Sequence, residues 1–396
     1  MEIIETHTTE GLVALHKDWD ALLEACPEAT IFQSWEWNEA WWRTFGAKHR
    51  LYLLEVWERQ RLVGLAPWCL RRVPGTPLRR LTFLGAGVSD YLDVLAIPEL
   101  AYAVKAALLK HLDASRSADL VDWPEQRPAA LLRKTIENNA AVLAGWTCTW
   151  QPQEPCLSIA LPLTWEAYVA QLGKLRRNLS YYRRLLERRY ASVEFRLATR
   201  EELPEAMEAL FALHQQRWQA RQLPGHLGSR QIQVFHRQVA DHFQRRCWLR
   251  LYLACVKGRI IGVEYGFRFR DRYASYLGGI DPTWKDYRVG TLLIGAAIQQ
   301  AIAESCPIFD WLRGQEPHKV AWGATVAWVN VRLQLRRRMS LRGWTLQRLD
   351  IVWPRVATTL RVRRRLRRIL QEVRDRVPWL GRLRLEGDAL EQTYDT

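Results

Sequence analysis

The residues with the most chemical potential lie between Leu277 and Gly323. Gly278-Gly279-Ile280-Asp281-Pro282 ends one apolar segment, Arg288-Val289-Gly290-Thr291 opens another, and Asp310-Trp311-Leu312-Arg313-Gly314-Gln315-Glu316-Pro317-His318-Lys319 closes a third. The pattern predicts strand, helix, strand, with carboxylates, an imidazole and an ammonium collected where the two strands end. In a sheet with helical crossovers, ligands bind beyond the carboxyl ends of the strands. A helix that starts there presents free N–H groups and the positive end of its dipole, which suits an anion such as a phosphate.

Such groups need a scaffold, and the second half of the chain supplies one. Val193 to Ala198 is predicted as a strand, Glu202 to Arg221 and Arg230 to Arg246 as helices, and Leu249 to Val256 with Arg259 to Phe269 as a hairpin turning at Lys257-Gly258. Tyr273 to Ile280, a helix from Val289 to Glu304 and a strand from Ile308 to Leu312 complete the order β-α-α-β-β-β-α-β. In the second strand of the hairpin Ile261, Val263, Tyr265, Phe267 and Phe269 share one face and leave Glu264 on the other.

The first half repeats the order. Strand Glu2 to Thr6 leads to helices Glu10 to Ala25 and Trp35 to Phe45, then a hairpin of Leu51 to Trp57 with Arg61 to Arg71. A third strand is expected around Tyr91 to Leu95, followed by helix Glu99 to Ala114 and strand Leu120 to Trp123. Leu62-Val63-Gly64 matches Ile260-Ile261-Gly262, and Asp122-Trp123 matches Asp310-Trp311, at offsets of 198 and 188 residues. An internal duplication with its join near 160 to 165 accounts for this. At the join, Trp165 to Tyr190 puts Leu172, Leu175, Leu179, Tyr182 and Leu186 on one helical stripe. Its other faces carry Arg176, Arg177, Arg183, Arg184, Arg188 and Arg189, either a solvated surface or a wall against a phosphate-bearing substrate.

With 396 residues, 48% hydrophobic and 25% charged, the chain can fill two globular cores. No apolar run reaches the roughly 18 residues of a membrane span. The N-terminus lacks the basic start and apolar block of a signal peptide, so a cytoplasmic location is expected. Seven cysteines without a Cys-x-x-Cys pair argue against both a zinc site and a disulfide framework, and no metal is expected. The net charge of +16 is concentrated between Arg332 and Arg384, where 17 Arg face three acids. After Trp353-Pro354, the residues Val362, Leu366, Ile369, Val373 and Val377 form one stripe of a helix whose remaining surface is mostly Arg. Such a helix suits an anionic membrane face, here peripheral to the inner membrane, or a protein partner. RNA, including tRNA, is a further fit.

Several local strings fall in a recognisable order: Trp37 with Trp41 and Phe45, Leu65-Ala66-Pro67, Leu84-Gly85 with Ser89-Asp90-Tyr91, Arg176 to Leu186, His214 with Arg217-Trp218, Asp281-Pro282, Gly290, and Asp310 to Trp322. With the order of elements, they resemble the GNAT acetyltransferase fold, and two copies resemble the tandem arrangement of the Fem-type peptidoglycan aminoacyl transferases. The closer resemblance is to the bacterial acetyltransferase-like family associated with cellulose and exopolysaccharide biosynthesis. In GNAT enzymes an Arg/Gln-x-x-Gly-x-Gly/Ala loop opens the central helix and holds the pyrophosphate of acyl-coenzyme A. The corresponding stretch, Lys285 to Thr291, keeps one glycine. The resemblance thus implies acetyl-CoA or another acyl-CoA as co-substrate, held by Arg288, Val289, Gly290 and Thr291. A Fem-type relative would present an aminoacyl-tRNA there instead.

Glu316 to Gly323 is similar to the aromatic-Lys-x-x-aromatic-Gly pattern of these families, in which the Lys stabilises charge on the reacting acyl group. That implies the role for Lys319, worth about 3 kcal/mol in a site closed to water, with His318 and Trp322 at the aromatic positions. Transfer to an amine also needs a proton acceptor, since an ammonium has no lone pair. Asp281, Asp310, Glu316 and Glu264 are the candidates, and Arg313 is placed to pair with Asp310 or Glu316. The first half lacks a glycine-rich helix opening, so donor binding is expected in the second half alone. Asp90 and Asp93 are suited to accept the hydroxyl protons of a glycan acceptor. Trp35, Trp37, Trp41, Trp42, Trp57 and Trp68 suit a core or sugar rings.

The expected fold class is therefore α/β with a mixed sheet, as two tandem GNAT-like domains and an Arg-rich C-terminal helical extension. The expected boundaries are 1–162 for a domain on the acceptor side, 163–190 for a connecting basic helix, 191–350 for the acyltransferase domain and 351–396 for the extension. The expected function is acyl transfer from acyl-CoA to an amine or hydroxyl of a small or saccharide-linked acceptor. A Fem-type aminoacyl-tRNA-dependent transferase and a non-catalytic accessory of envelope polysaccharide synthesis are the alternatives.

Overall fold

The computed structural model describes residues 1–72, 78–138, 145–190, 192–219 and 225–337; the expected Arg-rich extension, 351–396, lies outside them. The first half contains β1 (Glu2–Thr6), α1 (Thr9–Ala14), α2 (His16–Ala25), α3 (Trp35–Phe45), β2 (His49–Glu58), β3 (Arg61–Arg72), β4 (Arg79–Phe83), β5 (Leu95–Ala96), α4 (Ala101–Ser115) and β6 (Leu120–Gln126). Then come α5 (Leu131–Asn138), β7 (Trp146–Ala160), α6 (Trp165–Ala170) and α7 (Lys174–Arg189). The second half contains β8 (Val193–Leu197), α8 (Leu203–Gln219), α9 (Arg230–Arg245), β9 (Leu249–Val256), β10 (Arg259–Phe269), β11 (Arg272–Ile280), α10 (Val289–Ala303), β12 (Ile308–Arg313), α11 (Pro317–Ala321) and β13 (Thr325–Arg337).

The strands form one mixed sheet in the order β1-β2-β3-β4-β6-β13-β7-β12-β11-β10-β9-β8, with β5 beside β3. Among the described residues only β4 with β6 and β11 with β12 run parallel, each pair bridged by a crossover helix, α4 or α10. The long strands β7 and β13 pair with each other in the middle of the sheet. Each also completes the sheet of the opposite half: β7 lies on β12, and β13 lies on β6. The halves have thus exchanged their closing strands.

Local chemistry explains most boundaries. Ser34 caps α3 by accepting from the Trp37 amide, with Glu36 in the first turn and Arg43 in the last. The hairpin of β9 and β10 turns through Lys257 and Gly258, both at positive φ, as its tight loop requires. Gly173, at φ +49, separates α6 from α7, so the segment expected as one helix over Trp165 to Tyr190 is two, with Leu175, Leu179, Tyr182 and Leu186 of the stripe on α7 and Leu172 between the helices. Leu15 likewise divides the helix expected over Glu10 to Ala25. The third strand of the first half is β4 and not Tyr91 to Leu95, because Tyr91 takes φ +59 and leaves extended backbone. Arg332, Arg336 and Arg337, at the start of the stretch where the net charge is concentrated, belong to β13, and Arg332 forms two hydrogen bonds with Asp122.

Both faces of the sheet are covered. Val263, Tyr265 and Phe267 of β10 lie in the same core as Leu210 of α8 and Phe235 of α9, and α10 fills a second core with Tyr252, Ala254 and Ile261. Glu264 is therefore buried on a covered face. Trp37 and Trp68 are fully enclosed, and Trp35 and Trp41 nearly so, which makes them core side chains. No helix among the described residues is long and apolar enough to cross a membrane.

Candidate active site

Strands β11 and β12 pair only at Arg272–Ile308, Tyr273–Phe309 and Ala274–Asp310. Beyond that point β12 turns through Leu312, at φ +57, towards β7, while β11 continues to Ile280 along β10. The edge of Ser275–Ile280 that faces β12 has no strand beside it among the described residues. An extended ligand with amide groups can hydrogen-bond along such an edge.

At the mouth of this wedge α10 begins. Asp281 accepts from the Thr283 amide at 2.9 Å and hydroxyl at 2.6 Å, and its other oxygen meets Arg259 at 3.1 Å. Both carboxylate oxygens thus cap and brace the turn Pro282–Tyr287. Arg288 takes φ +52, and α10 starts at Val289. The Val289 and Gly290 amides find no backbone acceptor among the described residues, whereas Thr291 and Leu292 donate to the Arg288 carbonyl. Lys285 and Arg288 are exposed beside them. A Cβ on Gly290 would lie 3.4 Å from Ile280 Cγ1, an ordinary contact. Packing therefore does not demand glycine there. It does at Gly279, whose Cβ would come within 2.9 Å of Leu213 Cβ and the His214 nitrogen.

Within the sheet, Glu264 accepts a hydrogen bond from the Ser275 hydroxyl. Asp310 is 1% exposed and accepts from Tyr91 Oη at 2.9 Å, the Leu312 amide at 2.8 Å and Arg272 at 3.1 Å. Burial raises its pKa, with Arg272 pulling the other way.

Asp90 comes from the loop after β4, which both halves hold in place. Trp37 Nε1 donates to Ser89 Oγ at 2.7 Å, Ser89 donates to the Gly85 carbonyl, and Tyr276 Oη donates to the Val88 carbonyl at 2.6 Å. Asp90 Oδ1 lies 3.3 Å from Arg313 Nε, close enough for an ion pair but without hydrogen-bond alignment. Burial pushes Asp90 up to about 7; Arg313 opposes this, and the negative charges of Glu125 and Asp310 add to it. Asp93 is also buried and raised to about 6, but it accepts from the Val94 and Leu131 amides and serves the start of α5.

Arg313 donates to Glu125 at 2.7 Å, and Gln153 and Asn330 donate to the same carboxylate. Tyr91, Glu125 and Leu312, all non-glycine residues at positive φ, surround this cluster. Backbone strain of this kind gathers at functional sites. Glu125, Tyr91, Gln153 and Asn330 were not among the expected site residues.

Lys319 is enclosed differently from the expectation of a group facing a reacting acyl carbon. Its ammonium donates to the carbonyls of Trp311, Arg313 and Gly314 at 3.1, 2.7 and 3.0 Å, and pairs with Glu316 at 2.8 Å. Its three N–H groups are committed to bracing the end of β12 against α11. Burial works against ionised Glu316, but the Lys319 hydrogen bond and charge prevail and lower its pKa. The His318 ring lies edge-on to Trp311, and Trp322 is buried against Tyr168.

Other clusters lack this convergence. His16, Asp20 and Glu36 approach one another as metal ligands would, but Arg246 already contacts Asp20 at 2.9 Å and Glu36 at 3.2 Å. Surface depressions of about 180 Å³ beside Cys247 and Arg250, and about 790 Å³ beside Met1 and Trp57, include none of the wedge residues.

Residues 173–320 match the family described as "Acetyltransferase (GNAT) domain". No curated protein sequence matches the chain. Among solved structures, the crystal structure of FemX is 11% identical, with a TM-score of 0.58 over 84% of this chain and 97% of that one. A conserved protein of unknown function from Bacteroides thetaiotaomicron is 12% identical, with a TM-score of 0.53 over 85% of this chain and 100% of its own. The C-terminal domain of a putative lysylphosphatidylglycerol synthetase from Agrobacterium fabrum is 9% identical, with a TM-score of 0.51 over 87% and 98%. At these identities the likeness is one of fold, and it spans both halves of the sheet. The matched stretch, 173–320, is the part of the chain that holds the wedge, the start of α10 and Lys319, and it is similar to a GNAT acetyltransferase domain.

Proposed function

We propose that this protein transfers an acyl group from acyl-CoA to an amine or hydroxyl of a small or saccharide-linked acceptor. The observation that carries the reading is the wedge between β11 and β12, with the uncommitted amides of Val289 and Gly290 at its mouth. A phosphate at those amides, near Lys285 and Arg288, would lead an amide-bearing pantetheine chain along Ser275–Ile280. The thioester then lies towards the narrow end of the wedge, close to Asp310. Aminoacyl-tRNA is the weaker donor reading, because an ester on ribose has no amide chain to pair with that edge.

Asp90 is the proton acceptor best suited to pH 7, since its pKa of about 7 matches that of an efficient general base. It takes the acceptor's proton as nitrogen or oxygen attacks the thioester carbon, the C–S bond breaks, and coenzyme A leaves. Arg313 orients Asp90, and the first half, 1–162, provides the acceptor side. The second half, from 191 onward, provides the donor side. A place in polysaccharide synthesis on the cytoplasmic side of the membrane fits an acceptor of that kind.

Calorimetry with acetyl-CoA tests the donor assignment. Binding by the wild type and its loss in Gly290→Trp are expected. No binding, or equal binding by the variant, sinks it.

A further inference from the structure

Helix α7 leaves one face without an intramolecular purpose. Its sixteen residues include Lys174 and six arginines, against the single acid Glu187. Leu179 packs towards Gly295 of α10, and Leu186 is fully buried. Arg183 pairs with Glu187 and lies over Phe195. Arg177, Tyr181, Arg184 and Arg188 follow one another at spacings of four, three and four, and all are exposed. No ion pair involves these three arginines among the described residues, and Tyr181 is 56% exposed. The stripe is about 16 Å long.

Its position is informative. Tyr190, at the end of α7, packs its ring on Trp284 at 4.8 Å and Tyr287 at 5.8 Å. The Arg188 end of the stripe therefore adjoins the turn that feeds the open amides of α10. Those amides, with one glycine between Lys285 and Thr291, suffice for a single phosphate group but not for the cradle a pyrophosphate prefers. Nearby charge is mainly positive, from Lys285, Arg288 and Arg189, with Asp286 the exposed exception.

We propose that the acyl group is delivered on the phosphopantetheine arm of an acidic carrier protein, which docks on Arg177, Tyr181, Arg184 and Arg188. Such an arm has one phosphodiester, two amides for the open β11 edge and a terminal thioester. Arg and Tyr in a row on one helix face are the residue types that dominate protein interfaces, and an acidic partner helix supplies the complementary charge. An RNA has the charge but lacks the amide chain. In the transfer, the acyl C–S bond breaks, the acceptor's N–C or O–C bond forms, and the arm leaves as a thiol carrying a proton from the acceptor. The proposal rests on the acyl-transfer reading and changes who presents the thioester.

The test compares a bacterial acyl carrier protein bearing an acetyl-phosphopantetheine arm, the same protein without the arm, and acetyl-CoA, each titrated against the full chain. The loaded carrier is expected to bind at least about tenfold more tightly than acetyl-CoA, and to weaken as salt is raised. Arg177→Glu/Arg184→Glu/Arg188→Glu is expected to remove that advantage, leaving acetyl-CoA binding within about twofold and the melting temperature unchanged. If that variant unfolds, Arg184→Gln with Arg188→Gln replaces it under the same criteria. Acetyl-CoA binding without preferential carrier binding overturns the proposal and leaves the acyl-transfer reading intact. So does equal loss of acetyl-CoA in the variant, or charge-dependent binding of a tRNA transcript or of anionic vesicles in place of the carrier. Failure of both thioesters to bind overturns the acyl-transfer reading as well.

Discussion

Replacing Asp90 by Asn keeps the shape of the protonated carboxyl and removes its charge. In the folded protein Asp90 titrates near 7 against an ordinary 3.8, because burial and the neighbouring carboxylates outweigh Arg313. A raised folded pKa means that the group's contribution to stability is fully present below about pH 4 and is lost as pH rises through 7. The whole loss is roughly 4 kcal/mol, and about 2.5 kcal/mol of it falls between pH 5 and pH 8. Asn has no such loss. Denaturant unfolding of both proteins across that range, followed by tryptophan fluorescence, should show the variant gaining on the wild type by about 2.5 kcal/mol as pH rises. Acyl transfer should fall in the variant, and the acid limb of the kcat/KM profile near pH 7 should vanish with it. A stability difference that stays flat from pH 5 to pH 8 would refute the electrostatic argument, and with it the choice of Asp90 as base.

Three further outcomes follow from described contacts. Gly290→Ala should leave stability within about 1 kcal/mol of wild type, since its Cβ has room, yet weaken acetyl-CoA binding by calorimetry; a clear loss of stability would make Gly290 a packing residue. Lys319→Met strips one buried and two half-buried carbonyls and Glu316 of their donor, so thermal or chemical unfolding should register a loss of at least about 3 kcal/mol. A stable variant with only a reduced turnover would instead restore Lys319 as a group facing the reaction. Among the cysteines, Cys148 and Cys247 are exposed and should react with a thiol reagent in the native protein. Cys26, pushed up to about 11 by burial, and the enclosed Cys69 should react only on unfolding.

The second half was legible because its signals are local. The Lys257-Gly258 turn, the alternation of β10 and the apolar stripe of α10 each declare themselves within a dozen residues. Strand β7 did not, because Pro152 and Pro155 read as loop residues. Both face β13 next to irregularities in the ladder, where a missing N–H is tolerated. Strand β13 does alternate, with Val329, Val331, Leu333 and Leu335 between polar residues, but its arginines join it by composition to the basic stretch beyond. The buried cluster was half legible. Asp90, Asp310 and Arg313 stood out by type and place, whereas Glu125 has no motif of its own. One signal was available: the offset that aligns Asp122-Trp123 with Asp310-Trp311 sets Glu125 opposite Arg313, opposite charges at equivalent positions of the two halves. They meet at 2.7 Å.

The exchange of closing strands has a consequence in time. Leu333 of β13 pairs with Trp123 of β6, 210 residues earlier in the chain. At a synthesis rate of about 5–20 residues per second, β6 emerges roughly 10–40 s before its partner exists. During that interval its outer edge is open, and β7, synthesised soon after it, is the first strand available to fill it. Native assembly requires β7 to wait for β12 and β13 instead. Refolding of the full chain should therefore be slow and depend on protein concentration, and a chain truncated before β13 should aggregate through the vacant β6 edge.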